Sequence, residues 1–310
     1  MADQAHVADS YAELVMRANQ RPLWLRSLTW LGNFAYRKPL GFLGFLLVGF
    51  FMTLAIFAPW IAPYDVGRID LRNGLVGPTS AYWLGTDDVG HDVLTQLIWG
   101  ARLSMTIGLG VVISSSAVAT ILGISSAYIG GWVDLTIGRL IDAWIALPDL
   151  IILITILGVV RRTETNLVFA MVFALALSRF GPVTRIYRSA VMELRGRPFV
   201  EAAQSSGAST LRVMFKHVLP NVLPLIIVTS TTALPLAILA EASLSFLGFG
   251  PAGEPSWGQM LSVDGRQFFT KQPMLALAPG ISIGMAVFGF NMFGDALRDM
   301  LDPRLRGEGR

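Results

Sequence analysis

Apolar residues in this chain gather in long blocks instead of helical stripes or strand alternation. The blocks run Leu40 to Ala62, Leu103 to Ile129, Leu140 to Val160, onward from Leu167, Val222 to Ala240 and Met274 to Gly294. Each is long enough for a helix to cross a hydrocarbon layer of about 30 Å, so the pattern predicts six membrane spans and an all-α integral membrane protein. The fourth block meets Arg179 after little more than half a bilayer, and must continue past Arg179, Pro182 and Arg185 if it crosses. The first ends at Pro59 and Pro63, and the third carries Asp142 and Asp149 near its start. Span two is free of charge and dense in small residues (Gly108, Gly110, Ser114 to Ser116, Gly123), which favours a packed bundle over a lipid-facing anchor. Gly280 and Gly284 give span six the spacing of close helix contact.

Polar stretches separate the blocks, and the one from 195 to 221 is the most informative. Pro198 suits a first helical position and Gly207 the residue just past a helix end, which predicts a helix of about two turns over Phe199 to Ser206. Ser209 is placed to cap a second helix. There Leu211, Met214, Phe215 and Val218 share one face while Arg212 and Lys216 share another, and Pro220 is expected to stop the helix.

Glu201-Ala202-Ala203, Gly207 six residues after the glutamate, and then Leu219-Pro220 resemble the EAA loop of ABC importer permeases. The resemblance implies a cytoplasmic loop that docks into a groove of a separate ATP-hydrolysing subunit. Glu201, Ala202, Ala203 and Gly207 would form the docking surface, braced by Leu219 and Pro220. The alanines offer a close-packing face, the carboxylate a hold for a cation, and the glycine a tight turn. His217 departs from the pattern, which has an apolar residue at that position.

Three further stretches point to one branch of that family, the dipeptide, oligopeptide and nickel permeases. Leu84-Gly85-Thr86-Asp87 through Asp92 is similar to the "LGTDxxGRDxxS" sequence after the first span, with His91 where the branch usually has Arg. The acidic cluster with His91 is open to two readings: a metal or substrate contact, or a turn in which Thr86, Asp87 or Asp88 caps a helix entering the next span. Glu241 to Gly250 resembles "EASLSFLGLG", and Asp295 to Arg304 resembles "GDALRDxLDPRLR". Glu241 is either a functional charge, such as part of a gate, or an interfacial carboxylate paired to a loop cation such as Arg266. Trp257, in the loop before span six, suits an interface anchor.

Composition narrows the function classes. Of 310 residues, 53% are hydrophobic and 15% charged, well below the quarter usual for soluble domains. A net charge of +3 gives no reason to expect a nucleic-acid partner, and with no cysteine and three scattered histidines neither a metal site nor a cofactor is expected. No GxxxxGK[ST], GxSxG or HExxH occurs, so the chain lacks a phosphate cradle and a recognisable catalytic site, and is read as not an enzyme. With both termini and the EAA loop on one side, 17 of the 24 Lys and Arg share that side, which should be the cytoplasm.

The expected organisation follows. Residues 1–39 form a cytoplasmic segment, either a partly ordered tail or a helix lying in the membrane surface around Trp24 and Trp30. Residues 40–62 are the first span and 63–102 an extracytoplasmic segment. Residues 103–297 form a five-helix core that includes the EAA loop 195–221, and 298–310 a cytoplasmic tail. The resemblance implies the type I ABC importer permease fold in a cell inner membrane. It also implies a second permease subunit as heterodimer partner, two ATP-binding subunits and an extracytoplasmic substrate-binding protein. The cargo class would be peptides or related small solutes, with no charged pocket expected in spans three to five. The alternative is a secondary transporter driven by an ion gradient, which usually carries inverted repeats and mid-bilayer ionisable residues; neither is evident here.

Overall fold

A computed structural model describes residues 34–36, 38–161, 166–251, 253–262 and 264–301. The segment around Trp24 and Trp30, where a surface helix is one expectation, residues 162–165 and the tail beyond Leu301 lie outside the described residues. Among those described there is no strand, only one isolated antiparallel bridge between Thr86 and Asp92.

Helix α1 (Pro39–Ile61) starts on a proline whose missing N–H has no acceptor to lose there. A turn-rich segment with one short 3₁₀ turn (Leu71–Asn73) leads to α2 (Val93–Ile129). At 37 residues α2 is about 55 Å long, so it projects beyond any bilayer core. Its cap is Asp92, whose carboxylate accepts from the Thr95 N–H at 2.8 Å and the Thr95 hydroxyl at 2.7 Å. The cap is therefore not among residues 86–88. Asp87 is instead turned inward, where it accepts from the Val89 and His91 amides and from Gln96 Nε2, and sits 2.7 Å from His91 Nδ1.

Gly130 and Gly131, at φ +71° and +57°, turn the chain, and α3 (Gly131–Ile145) begins with no intervening loop. The third span is not straight either. α3 meets α4 (Asp149–Val160) at an 84° bend, because Pro148 offers no N–H and its ring excludes the carbonyl one turn back. The residue before it is pushed out of the helical region. α5 (Leu167–Arg195), capped by Asn166, runs unbroken through Arg179, Pro182 and Arg185.

Two short helices follow, α6 (Pro198–Ser205) and α7 (Thr210–Val213). A π turn at Met214–Val218 joins α7 to α8 (Leu219–Leu244), so Pro220 does not stop the helix. The wider turn, in which the Leu219 N–H reaches the Met214 carbonyl, relieves the backbone just where the proline ring would crowd it. A second π turn, Ser245–Phe249, ends α8, and after α9 (Trp257–Ser262) and α10 (Asp264–Gln267) the chain closes with α11 (Met274–Leu301). Among the described residues five helices are long and apolar enough to cross a membrane, six with the bent pair counted as one span.

Glycines set how closely these helices approach. A methyl group on Gly123 of α2 would lie 3.1 Å from the α5 backbone at Thr184 and Arg188, and one on Gly108 would lie 3.2 Å from Ile238 of α8. α1 seats on α11 through Gly44 and Gly289. Gly280 and Gly284 face open space, and the close contacts of this helix are made by Gly289, against Leu47 and Gly44, and by Gly294, against Thr231 and Thr232. The main core joins α1, α2, α5, α8 and α11. Trp257 belongs to it and is no interface anchor: it is buried, packs edge-on against Phe51 and donates its indole N–H to the Leu97 carbonyl at 3.0 Å.

Candidate functional site

The hairpin at one end of the bundle is built from a few local decisions. Arg197 precedes α6, where Pro198 occupies the first helical position, and the Arg197 side chain pairs with Glu193 at 2.7 Å. Gly207 ends α6 at φ +79°. Around it the Gly207 N–H reaches the Gln204 carbonyl at 2.9 Å and the Ala208 N–H the Ala203 carbonyl at 3.1 Å, the paired closure of a left-handed helix end. A side chain at 207 would meet nothing within 4 Å, so the position needs glycine for its backbone angle and not for room. Ser209 caps α7 through the Arg212 N–H, as its place in the sequence suggests.

One face of the hairpin is anchored. Val200, Val213, Met214 and Val218 are buried in a second apolar cluster with Ile124 and Tyr128 of α2 and Val191 of α5. Ala203, Ala208 and Leu219 pack against its edge. Gln204 Nε2 donates to the Tyr128 hydroxyl at 2.7 Å, and Arg195 reaches the Ala127 carbonyl. The other face is bare. Glu201, Ala202, Gly207 and Pro220 are exposed, Phe199 is 39% exposed, and Leu211 and Phe215 are 64% and 65% exposed. The apolar face expected of α7 is therefore divided: the π turn rotates Met214 and Val218 inward and leaves Leu211 and Phe215 outside. Sequence periodicity found these residues but could not separate anchor from contact.

Glu241 lies at the opposite end, and it is not paired to Arg266. It is fully buried, accepting from Ser104 of α2 at 2.8 Å and from Ser245 at 2.7 Å. Arg266 sits instead over the Phe246 ring. The carboxylate thus ties α2 to the end of α8 beside a cavity of about 460 Å³ whose lining includes His91, Gln96, Ser245, Glu254 and Gln259.

Sequence reading missed a charged strip between the bent span and α5. Asp134 receives both Nε and Nη2 of Arg188 at 2.6 Å, and Asp142 pairs with Arg185. These four line a cavity of about 470 Å³ with Arg139 and Ser189, where spans three to five were expected to offer no charged pocket. The available signal was three aspartates, 134, 142 and 149, spaced seven or eight residues apart along one helical face, opposite three arginines of the next helix.

A family model for the "Binding-protein-dependent transport system inner membrane component" matches residues 119–307, and one for the "N-terminal TM domain of oligopeptide transport permease C" matches residues 36–78. A dipeptide transport system permease protein of Alkalihalophilus pseudofirmus is 39% identical over 271 residues, 87% of this chain and 88% of that protein. An oligopeptide transport system permease protein of Bacillus subtilis is 37% identical over 268 residues, 86% of each. A glutathione transport system permease protein of Escherichia coli is 34% identical over 264 residues, 84% of this chain and 86% of that protein.

Proposed function

This chain belongs to the binding-protein-dependent transport system inner membrane components, multi-pass permeases, and from that premise we propose that it carries peptides or related small solutes as one permease subunit of an ABC importer. A second permease subunit completes the path, two ATP-binding subunits drive it, and an extracytoplasmic binding protein delivers the cargo. The hairpin 195–221 faces the cytoplasm with both termini. Lys38 at the start of α1 and Asp299 near the end of α11 are ion-paired at that same end, and the count of basic residues favours it for the inside.

The observation that carries the reading is a hairpin anchored by one buried face and bare on the other. Glu201, Ala202, Phe199, Leu211 and Phe215 present a carboxylate inside an apolar surface, the make-up of half an interface. Glu201, Ala202, Ala203 and Gly207 form the docking element, with Leu219 as a brace in the cluster. Because Val200, Met214 and Val218 pack directly on α2 and α5, a displacement of α6 by an ATPase is transmitted into those spans instead of being absorbed by a loose loop. Alternating access then needs no chemistry from this chain, which acts as a gate moved by its partners.

The test is uptake of a dipeptide into proteoliposomes that hold both permeases and both ATPases, with binding protein outside the membrane-facing entry. ATP-dependent uptake that disappears with Gly207→Asp, while the variant still inserts, is expected. Uptake sustained by an ion gradient without the ATPases would contradict the reading and favour a secondary transporter.

A further inference from the structure

The charged strip has a third level, and that level is open. Below it, Asp134 with Arg188 and Asp142 with Arg185 are closed ion pairs. At the third, Arg179 of α5 feels the charge of Asp149, the first residue of α4, yet no carboxylate comes within 4.0 Å of it among the described residues. Its guanidinium makes no hydrogen bond there, and its Nε is the one buried side-chain polar atom without a partner among the described residues.

Depth makes this unusual. Arg179 lies twelve residues into α5, about 18 Å from its start, and Asp149 lies eleven residues from the end of α4, about 16 Å from the same surface. Both are inside a hydrocarbon layer of about 30 Å, where a charge without compensation is most unfavourable. The pairs nearer the hairpin, where water is closest, are closed, and the pair that isolation should favour is not. The 84° bend at Pro148 explains the mismatch, since it swings the start of α4 away from the line that Asp134 and Asp142 follow along α3. The elbow itself, 145–150, is exposed. Irregular backbone and an unanswered guanidinium at this depth are tolerated where they are buried within protein or line a water-filled path.

We propose that Arg179 is a cargo-binding residue of the translocation path and receives the free carboxylate of the transported solute. The proposal rests on the permease reading above and adds the chemistry of what passes. A guanidinium fork is matched to a carboxylate in two-pronged geometry. Asp149 across the elbow supplies a standing counter-charge, which keeps the hold weak enough for release. The cargo class is small solutes with an unblocked carboxylate, such as peptides with a free C-terminus.

The experiment compares ATP-dependent uptake of alanyl-alanine and alanyl-alaninamide by the assembled complex in proteoliposomes. Wild type should prefer the acid about ten-fold or more, the range of a charge-assisted hydrogen bond. Arg179→Gln should remove that preference by slowing the acid, with amide uptake and binding-protein-stimulated ATPase activity retained. Arg179→Lys should keep part of it. The double variant Arg179→Gln/Asp149→Asn should stay as impaired as the single one. An unchanged preference in Arg179→Gln would overturn the site and leave the permease reading intact. Recovery of acid uptake in the double variant would overturn it too, because Arg179 would then only neutralise Asp149. Loss of the second permease on co-purification of Arg179→Gln would assign the guanidinium to a subunit contact and likewise end the proposal. Wild-type complex that carries neither compound would overturn the cargo class and this site together.

Discussion

The two ends of the helical bundle hold their polar groups differently, although both leave large apolar side chains exposed, Leu71 and Trp83 at one and Leu211 and Phe215 at the other. At the end that holds 62–92 and 250–272, polar side chains are answered from within the chain. Asp87 and Asp92 are filled by local donors, Glu241 by two serines, Trp257 by the Leu97 carbonyl, and Gln272 donates to the Val76 carbonyl at 3.0 Å. At the hairpin end the backbone is closed just as completely, but Leu211, Phe215 and Glu201 are left facing outward. The contrast separates two uses of the same residue types. Groups satisfied internally fix the shape of the bundle, whereas groups left bare on an element whose other face is anchored are placed for a partner to grip.

The comparison can be broken most severely at Gly207. Gly207→Asp places a side chain where φ is +79°, a strain of about 1 kcal/mol, and adds a charge at the tip of the proposed docking element. Uptake should fall to background while membrane insertion is unchanged, as read by transport and by protein level in the membrane fraction. The next effect belongs to the bare face. Leu211→Ser with Phe215→Ser should weaken ATPase binding about ten-fold or more without lowering the melting temperature of the isolated chain, since neither side chain is buried. Equal loss of stability and binding would show that these residues are core and erase the distinction.

The far end should respond in the reverse sense. Ser104→Ala leaves one oxygen of the buried Glu241 carboxylate without its donor and should destabilise the bundle by about 1–3 kcal/mol, seen as a lower melting temperature, with ATPase binding intact. Trp257→Phe gives up one hydrogen bond and leaves a void where the larger indole packed, so a loss of about 2 kcal/mol is expected. Gly284→Ala should be the mildest. Nothing lies within 4 Å of that position, and thermal stability of the isolated chain should not fall.

Much of the molecule was legible in the sequence, and the exceptions have physical causes. Blocks of apolar residues gave the spans because a bilayer demands unbroken hydrophobicity, and Pro198, Gly207 and Ser209 gave the hairpin because caps and left-handed turns have narrow chemical requirements. Pro220 was misread because a proline is tolerated where a π turn precedes it, and nothing local announces a π turn. Pro148 was passed over and does bend its helix, so proline marks a site of strain without saying how the strain is relieved. Trp257 and Gly280 were assigned by residue type alone, but burial is decided by neighbours far along the chain: Leu97 and Phe51 for the tryptophan, and Gly44 for the helix in which Gly289, not Gly280, makes the contact. The partner of Glu241 was out of reach for the same reason, since Ser104 lies 137 residues away.

The absence of cysteine from the chain permits the most direct measurement. Ala202→Cys creates a unique thiol on the bare face of α6, to be cross-linked in the assembled complex and labelled from either side of sealed vesicles. Coupling to an ATP-binding subunit, with labelling by an impermeant reagent from the cytoplasmic side alone and protection once the ATPases are bound, is the expected result. Labelling from the extracytoplasmic side, or cross-links to neither ATPase, would contradict the claim that this hairpin is where the engine grips the gate.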